Sequence, residues 1–428
     1  MKRRFLTPAL AALLLLPAGL MLAGYLWASW HSREAQRATQ RRDLARAQEH
    51  WAQCLKVWRW SAAAYLEAAR AARRAGEYDQ AEAYLRSCRQ LGGASEAIAV
   101  EQLLLRALNG ELPKVEGFLV SRIRQDHPDT VHILEVLTPA YLQSYQLGNA
   151  KECVRWWLER EPDRIQAWLL RAQVFDRLNS RQEALESYQR VLELEPDNDE
   201  ARLQMAGHLA HANRPHEAVD HFEYLRNTLG NVPPVLLGLA RCRRALNQPE
   251  EARQLLQTLL AEHPGSWAAM ADLGRLALDA GQTEEAANWF RRAAQLRPYE
   301  KDVQYGLYQC LERLGQRAEA QQVLAHLKRI EADHSRLADL AREIAFAPRG
   351  AALRCEAAEI LLRNGQEDEA LRWLESALVE DPYHAPTHQS LATYFERTGD
   401  QERAARHHRL AAQMRDVAVQ RQVRQAAP

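Results

Sequence analysis

The chain has little of what usually builds a reactive centre. Its 428 residues hold 6 cysteines, namely Cys54, Cys88, Cys153, Cys242, Cys310 and Cys355. None forms a Cys-x-x-Cys, which excludes the common zinc and redox spacings. There is no glycine-rich phosphate loop, G-x-S-x-G elbow, H-E-x-x-H helix or EF-hand loop. Charge of one sign is missing too: Lys+Arg 56 balances Asp+Glu 56, so no global field draws the chain to nucleic acid. Glycine (19) and proline (17) are modest and low-complexity tracts are absent, which leaves little room for long disordered linkers. What is present in quantity is Ala, Leu, Arg, Glu and Gln, all strong helix formers. A chain of this length does not fill one compact core, so it forms several domains or an open array.

One long apolar run stands out. Lys2, Arg3 and Arg4 precede a charge-free stretch from Phe5 to Trp27. At about 1.5 Å per residue a helix over 5–27 spans a hydrocarbon layer of roughly 30 Å. Pro8 and Pro17 are tolerated in such a setting, and Tyr25, Trp27 and Trp30 gather at one end, as aromatic rings do at a membrane boundary. A cleaved signal peptide is the rival reading. It is disfavoured because no small-x-small pair occurs between Ala18 and Ser32 and because the run exceeds a typical signal core. No cysteine sits near the end of the run, so a lipoprotein anchor is not expected. The expectation is an uncleaved anchor contacting the lipid bilayer. The basic residues 1–4 place the N-terminus in the cytoplasm and the body outside, although Arg33, Arg37, Arg41, Arg42 and Arg46 pull the other way.

Beyond the run the chain repeats itself. Ala184, Ala218, Ala252, Ala286 and Ala320 are each 34 residues apart, as are Ala47 and Ala81, and Ala370 and Ala404. Five residues before every one of these alanines but Ala47 stands Gly or Asn: Gly76, Asn179, Asn213, Asn247, Gly281, Gly315, Gly365 and Gly399. Those two residue types end a helix in the left-handed conformation at least cost. Twelve before stands a small residue (Ala69, Ala172, Ala206, Ala240, Gly274, Ala358, Ala392), which lets two helices cross closely. Four after is usually large: Trp51, Leu85, Tyr188, Phe222, Leu256, Phe290, Leu324 or Leu374. Twelve after, Pro196, Pro264, Pro298 and Pro382 stop the second helix.

This pattern resembles the tetratricopeptide repeat, whose period is 34 residues with small, small, aromatic and proline marks. The resemblance covers about 31–412 and implies an all-α fold: a right-handed α-solenoid of about eleven helix pairs. Looser units centre on Val115, after a turn at Gly110, and on Cys153, after a turn at Gly148. The step from Ala320 to Ala370 is 50, or 34 plus 16. Leu327, Ile330, Leu337, Leu340 and Ile344 keep a helical period there, so the insertion near 328–347 is a lengthened second helix or one extra helix. Asn231-Val232-Pro233-Pro234 is a stiff connector that opens a helix at proline. Arg42 takes the turn position of the first unit, whose first helix can run on from the membrane segment. Residues 413–428 form a polar tail.

Candidate chemistry is thin. Five cysteines fall at packing positions of the repeat: Cys54 and Cys88 seven after the core alanine, Cys153 in its place, Cys242 and Cys310 at a shared site. His208, His211, His216 and His221 cluster in one unit, and His384, His388, His407 and His408 in another, but neither set is a complete metal site. No cofactor, metal, nucleic acid or small-molecule substrate is expected, and no stretch is left over for a catalytic domain. The concave groove of a solenoid, lined by first helices, takes peptides or partner helices. Its expected lining includes Gln173, Arg241, Arg244, Arg275, Tyr305 and Gln309, a track suited to an acidic or C-terminal carboxylate ligand. The matching places for chaperone C-terminus capture hold Gln204, Gly207, Gly238 and Asp272, which does not support that specificity. The expected function is a membrane-tethered scaffold for protein partners. A non-enzymatic chaperone or assembly factor is the alternative, with an accessory subunit or an unrecognised enzyme behind it.

Overall fold

The computed structural model describes the backbone of residues 6–41, 43–144, 146–346 and 350–426, with side chains over 21–39, 41, 43–144, 146–344 and 350–415. Among the described residues every element is helical and no strand occurs. Two compact units divide the chain, Met1–Val136 and Leu137–Pro428.

The first unit holds α1 (Leu6–Gln40), α2 (Leu44–Val57), α3 (Ala62–Arg74), α4 (Tyr78–Gln90), α5 (Ser95–Arg106), α6 (Leu112–Arg124) and the start of α7 (Thr130–Gln143). The second continues with α8 (Leu147–Arg160), α9 (Ile165–Arg177), α10 (Arg181–Leu194), α11 (Asp199–His211), α12 (Pro215–Leu229), α13 (Pro233–Ala245), α14 (Pro249–Glu262) and α15 (Trp267–Asp279). It ends with α16 (Thr283–Leu296), α17 (Lys301–Arg313), α18 (Arg317–Phe346), α19 (Ala351–Arg363), α20 (Glu367–Glu380), α21 (Ala385–Thr398) and α22 (Gln401–Ala426). Among the described residues these helices can be taken two to a repeat, with α1, which also carries residues 6–27 of the apolar run, as the first helix of the first pair.

The marks do their mechanical work. Asn179, Asn213 and Asn247 have φ of 55°, 58° and 60°, and the five turn glycines at 76, 281, 315, 365 and 399 are also left-handed. The core alanines at 47, 81, 184, 218, 252, 286, 320, 370 and 404 are all buried. Glu195, His263, Arg297 and Asp381 cap their helices immediately before the prolines at 196, 264, 298 and 382. Each cap has left the helical region, with ψ of 84°, 75°, 79° and 95°, as a following proline disfavours the helical conformation. Phe222 and Phe290 fill the space between neighbouring pairs so tightly that a Cβ on Gly238 or Gly306 would sit 2.2 or 2.4 Å from a ring carbon.

Some expectations are sharpened and some corrected. The insertion after Ala320 is a lengthened second helix: α18 runs without a break from Arg317 to Phe346. The tail at 413–428 is for the most part helix, because α22 continues to Ala426. The unit assigned to Cys153 is out of register by three. Gly148 is no turn but the second residue of α8, and the fully buried alanine is Ala150, which lies 34 before Ala184 and 12 before Pro162. Arg42 lies outside the described residues. So do the side chains of 1–20, which carry most of the expected 5–27 membrane run. Among the described residues no helix is long and apolar enough to cross a membrane.

Within the second unit, residues far apart in sequence meet. The fully buried Arg354 on α19 donates from Nη1 to the Ser144 carbonyl and to Ser376 Oγ, both at 2.7 Å. Gln146 donates to Glu380 at 3.3 Å. A buried guanidinium is costly unless its donors are met, so these bonds tie the turn before α8 to α19 and α20.

Candidate functional site

First helices of successive pairs present their exposed faces side by side, and polar pairs bridge from one to the next. Across α13, α15 and α17 they form a ladder. Arg241 Nε donates to Asp272 Oδ2 at 2.8 Å, Arg275 Nη1 meets the other oxygen of Asp272, and Arg275 Nη2 donates to Asp302 Oδ2 at 3.1 Å. Arg244 donates to Asp279 at 3.0 Å. Asp272 is only 3% exposed, and a buried carboxylate is sustained when two guanidinium groups flank it.

Beside the ladder opens a cleft of about 370 Å³, lined by Arg244, Arg275, Asp279, Asp302, Tyr305, Gln309 and Arg313 over a floor of Leu278, Phe290 and Gly306. Gly306 has no side chain because the Phe290 ring occupies that space, so the backbone of α17 forms the floor directly. Tyr305 is 49% exposed. Arg313 is exposed and makes no ion pair among the described residues, although the three other cleft-side charges of α13 and α15 are paired. The cleft therefore offers an aromatic face, an amide and one uncommitted guanidinium.

Four of the residues named from sequence, Arg244, Arg275, Tyr305 and Gln309, line this cleft together. Arg241 stands next to it through Asp272. Gln173 does not join them; it is exposed on α9, two pairs earlier. Sequence reading named Asp272 as a groove position but not its pairing with the arginines, and it missed Asp279, Asp302 and Arg313.

A second polar cluster, in the first unit, is of another kind. Arg70 binds Glu101 at 3.2 Å and Asp129 at 2.6 Å, Arg73 binds Glu101 at 2.7 Å, and Arg74 holds Glu135 at 2.9 Å. Glu101 is 1% exposed. Burial pushes its carboxyl up, yet the charge of Arg73 and the hydrogen bond from it hold it below the ordinary range. Glu135 is held down likewise, burial being outweighed by the bond to His132 and the charges of Arg74 and Arg73. The charges of this cluster answer one another across α3, α5 and the start of α7, so it braces those helices.

The remaining candidates are absorbed by packing. All six cysteines are buried, and burial raises the Cys54 and Cys242 thiols to about 11, far from reactive at neutral pH. His208 lies 2.8 Å from Asp176, His221 lies 3.3 Å from Arg202, and His388 lies 3.0 Å from His407. Among the described residues no group of three or more His, Cys, Asp or Glu could hold a metal ion.

Comparison with known proteins agrees with this geometry. Tetratricopeptide-repeat models match residues 277–344, and residues 169–231 and 237–301. Among solved structures the chain is similar to PilW, a type IV pilus biogenesis factor, at 24% identity over 46% of this chain and 92% of that one, TM-score 0.41. It is similar to Pseudomonas aeruginosa PilF at 20% identity over 47% and 92%, TM-score 0.39. It is also similar to human IFIT1 at 15% identity over 83% and 90%, TM-score 0.39. Such scores carry nothing about partner or chemistry. The chain carries tetratricopeptide repeats, and every described element is helical.

Proposed function

We propose that this chain is a membrane-tethered scaffold that binds an extended segment or helix of a partner protein in the cleft across α13, α15 and α17. The observation that supports this reading is Arg313, uncommitted beside the half-exposed Tyr305, in a cleft whose other arginines are already matched. A partner segment offering a carboxylate beside an apolar or aromatic side chain suits it: the carboxylate meets Arg313 and the side chain lies on Tyr305. The repeat supplies surface and no reactive group, so the role is binding rather than catalysis. The tether is supported by the charge-free run Phe5–Trp27, of which residues 6–27 lie in the continuous helix α1. The basic residues before it favour a cytoplasmic N-terminus and an exported body.

The test is affinity capture from mildly solubilised membranes with the double substitution Tyr305→Ala and Arg313→Glu. Both side chains are exposed and outside the ladder, so the fold should survive, as a circular-dichroism melt will show. Loss of specific partners supports the cleft; unchanged recovery removes it.

A further inference from the structure

The first hairpin contains an edge that the scaffold role leaves unexplained. α2 runs back along α1, so that Cys54 Sγ donates to the Ala28 carbonyl at 3.3 Å and the Trp58 ring lies tilted against Tyr25, 5.8 Å between ring centres. Val57 reaches the level of Gly24, 3.6 Å from where a Cβ would stand. The turn between α2 and α3 therefore returns to the level of Gly24, three residues inside the end of the apolar run. That is about 4–5 Å toward the apolar side of Trp27 along the helix.

What this turn presents is unusual for a water-facing loop. Trp60 is 75% exposed, and Met21, Leu22, Tyr25, Leu26, Trp27 and Trp30 of α1 are exposed beside it. Lys56 and Arg59 are exposed as well, and the Arg59 guanidinium lies 5.4 Å from the Trp60 ring centre. The next turn on this side, between α4 and α5, touches the start of α3, since a Cβ on Gly93 would lie 3.3 Å from Ala62. Neither segment, 55–66 or 83–95, contains a single Asp or Glu. Exposed indoles, long cations and no acid match the headgroup layer of an anionic bilayer: the rings settle at the boundary, and Lys and Arg reach the phosphates.

We propose that Trp58–Ser61, the turn joining α2 to α3, rests in the headgroup layer of an anionic bilayer with Trp60 inserted, so that the first hairpin lies on the membrane at two points. This rests on the tether proposed above and adds that the solenoid's first repeat is held at the surface rather than hanging from a swivel.

The test uses the full chain reconstituted into phosphatidylcholine–phosphatidylglycerol vesicles, with and without brominated acyl chains, and the variant Trp60→Ser. The difference in tryptophan emission between parent and variant isolates Trp60. We expect that difference emission to be blue-shifted and to lose most of its intensity in brominated vesicles, while both proteins float with the vesicles and resist alkaline wash. A Trp60 emission that keeps its water-exposed wavelength and is unquenched, in chains that still float, overturns the second contact and spares the tether. Failure of the parent chain to float removes both.

Discussion

Gly238 and Gly306 hold their places because a phenyl ring from the preceding pair stands where a side chain would go. Alanine at either position should cost about 1–3 kcal/mol through overpacking. Gly207, also within a helix, has nothing within 4 Å of its missing Cβ, so Gly207→Ala should stabilise by about 0.5–1 kcal/mol. Urea melts of the three variants check this, and a shared sign among them would contradict the packing described. Charge at the residue scale gives a second expectation. Glu101 and Glu135 have their carboxyls held below the ordinary 4.5 in the folded state. The unfolded chain therefore takes up protons first as pH falls, so the stability they contribute is full above 4.5 and declines progressively below it. Glu101→Gln, which takes from the buried Arg73 its nearest carboxylate, should cost about 3 kcal/mol at neutral pH and flatten that acid limb. Melts between neutral and acid pH that show the same slope for parent and variant would refute the assignment.

At the scale of the element, the helix pair was legible because each mark solves a local problem that the sequence states openly. Asn213 is left-handed at φ 58°, so Asn213→Ala should cost about 1 kcal/mol and Asn213→Gly should be close to neutral in thermal melts. Ala252 is fully buried where its two helices cross, and Ala252→Leu should cost about 1–3 kcal/mol; a neutral result would show the repeat register to be wrong there. The α7–α8 pair was misread for an equally local reason. The position five before Ala150 is Tyr145 rather than Gly or Asn, and Gly148 imitates the missing signal three residues late. The long α18 was half legible: its apolar period was plain, but only the backbone settles one helix against two.

At the scale of the molecule, legibility falls, because pairing across helices depends on which faces the stack brings together. Arg244, Arg275, Tyr305 and Gln309 were readable as a first-helix surface, and they do share a cleft. That Asp272, Asp279 and Asp302 would neutralise Arg241, Arg244 and Arg275 from the next first helix was not readable, since those partners are 27–35 residues away; only the Arg275–Asp272 contact is local. The same separation hides the Arg70–Glu101 pair and, across 210 residues of sequence, the bond from Arg354 to Ser144. A carboxylate ligand therefore meets a ladder already matched, with Arg313 as its remaining cation. The most direct measurement of the central claim places a photo-crosslinking phenylalanine analogue at Tyr305, in the intact membrane-associated chain, with the same analogue at the exposed Phe118 of the first unit for comparison. The cleft predicts a discrete protein adduct from 305 that Arg313→Glu abolishes and that 118 does not give. Absence of any adduct from 305, or the same adducts from both positions, would contradict it.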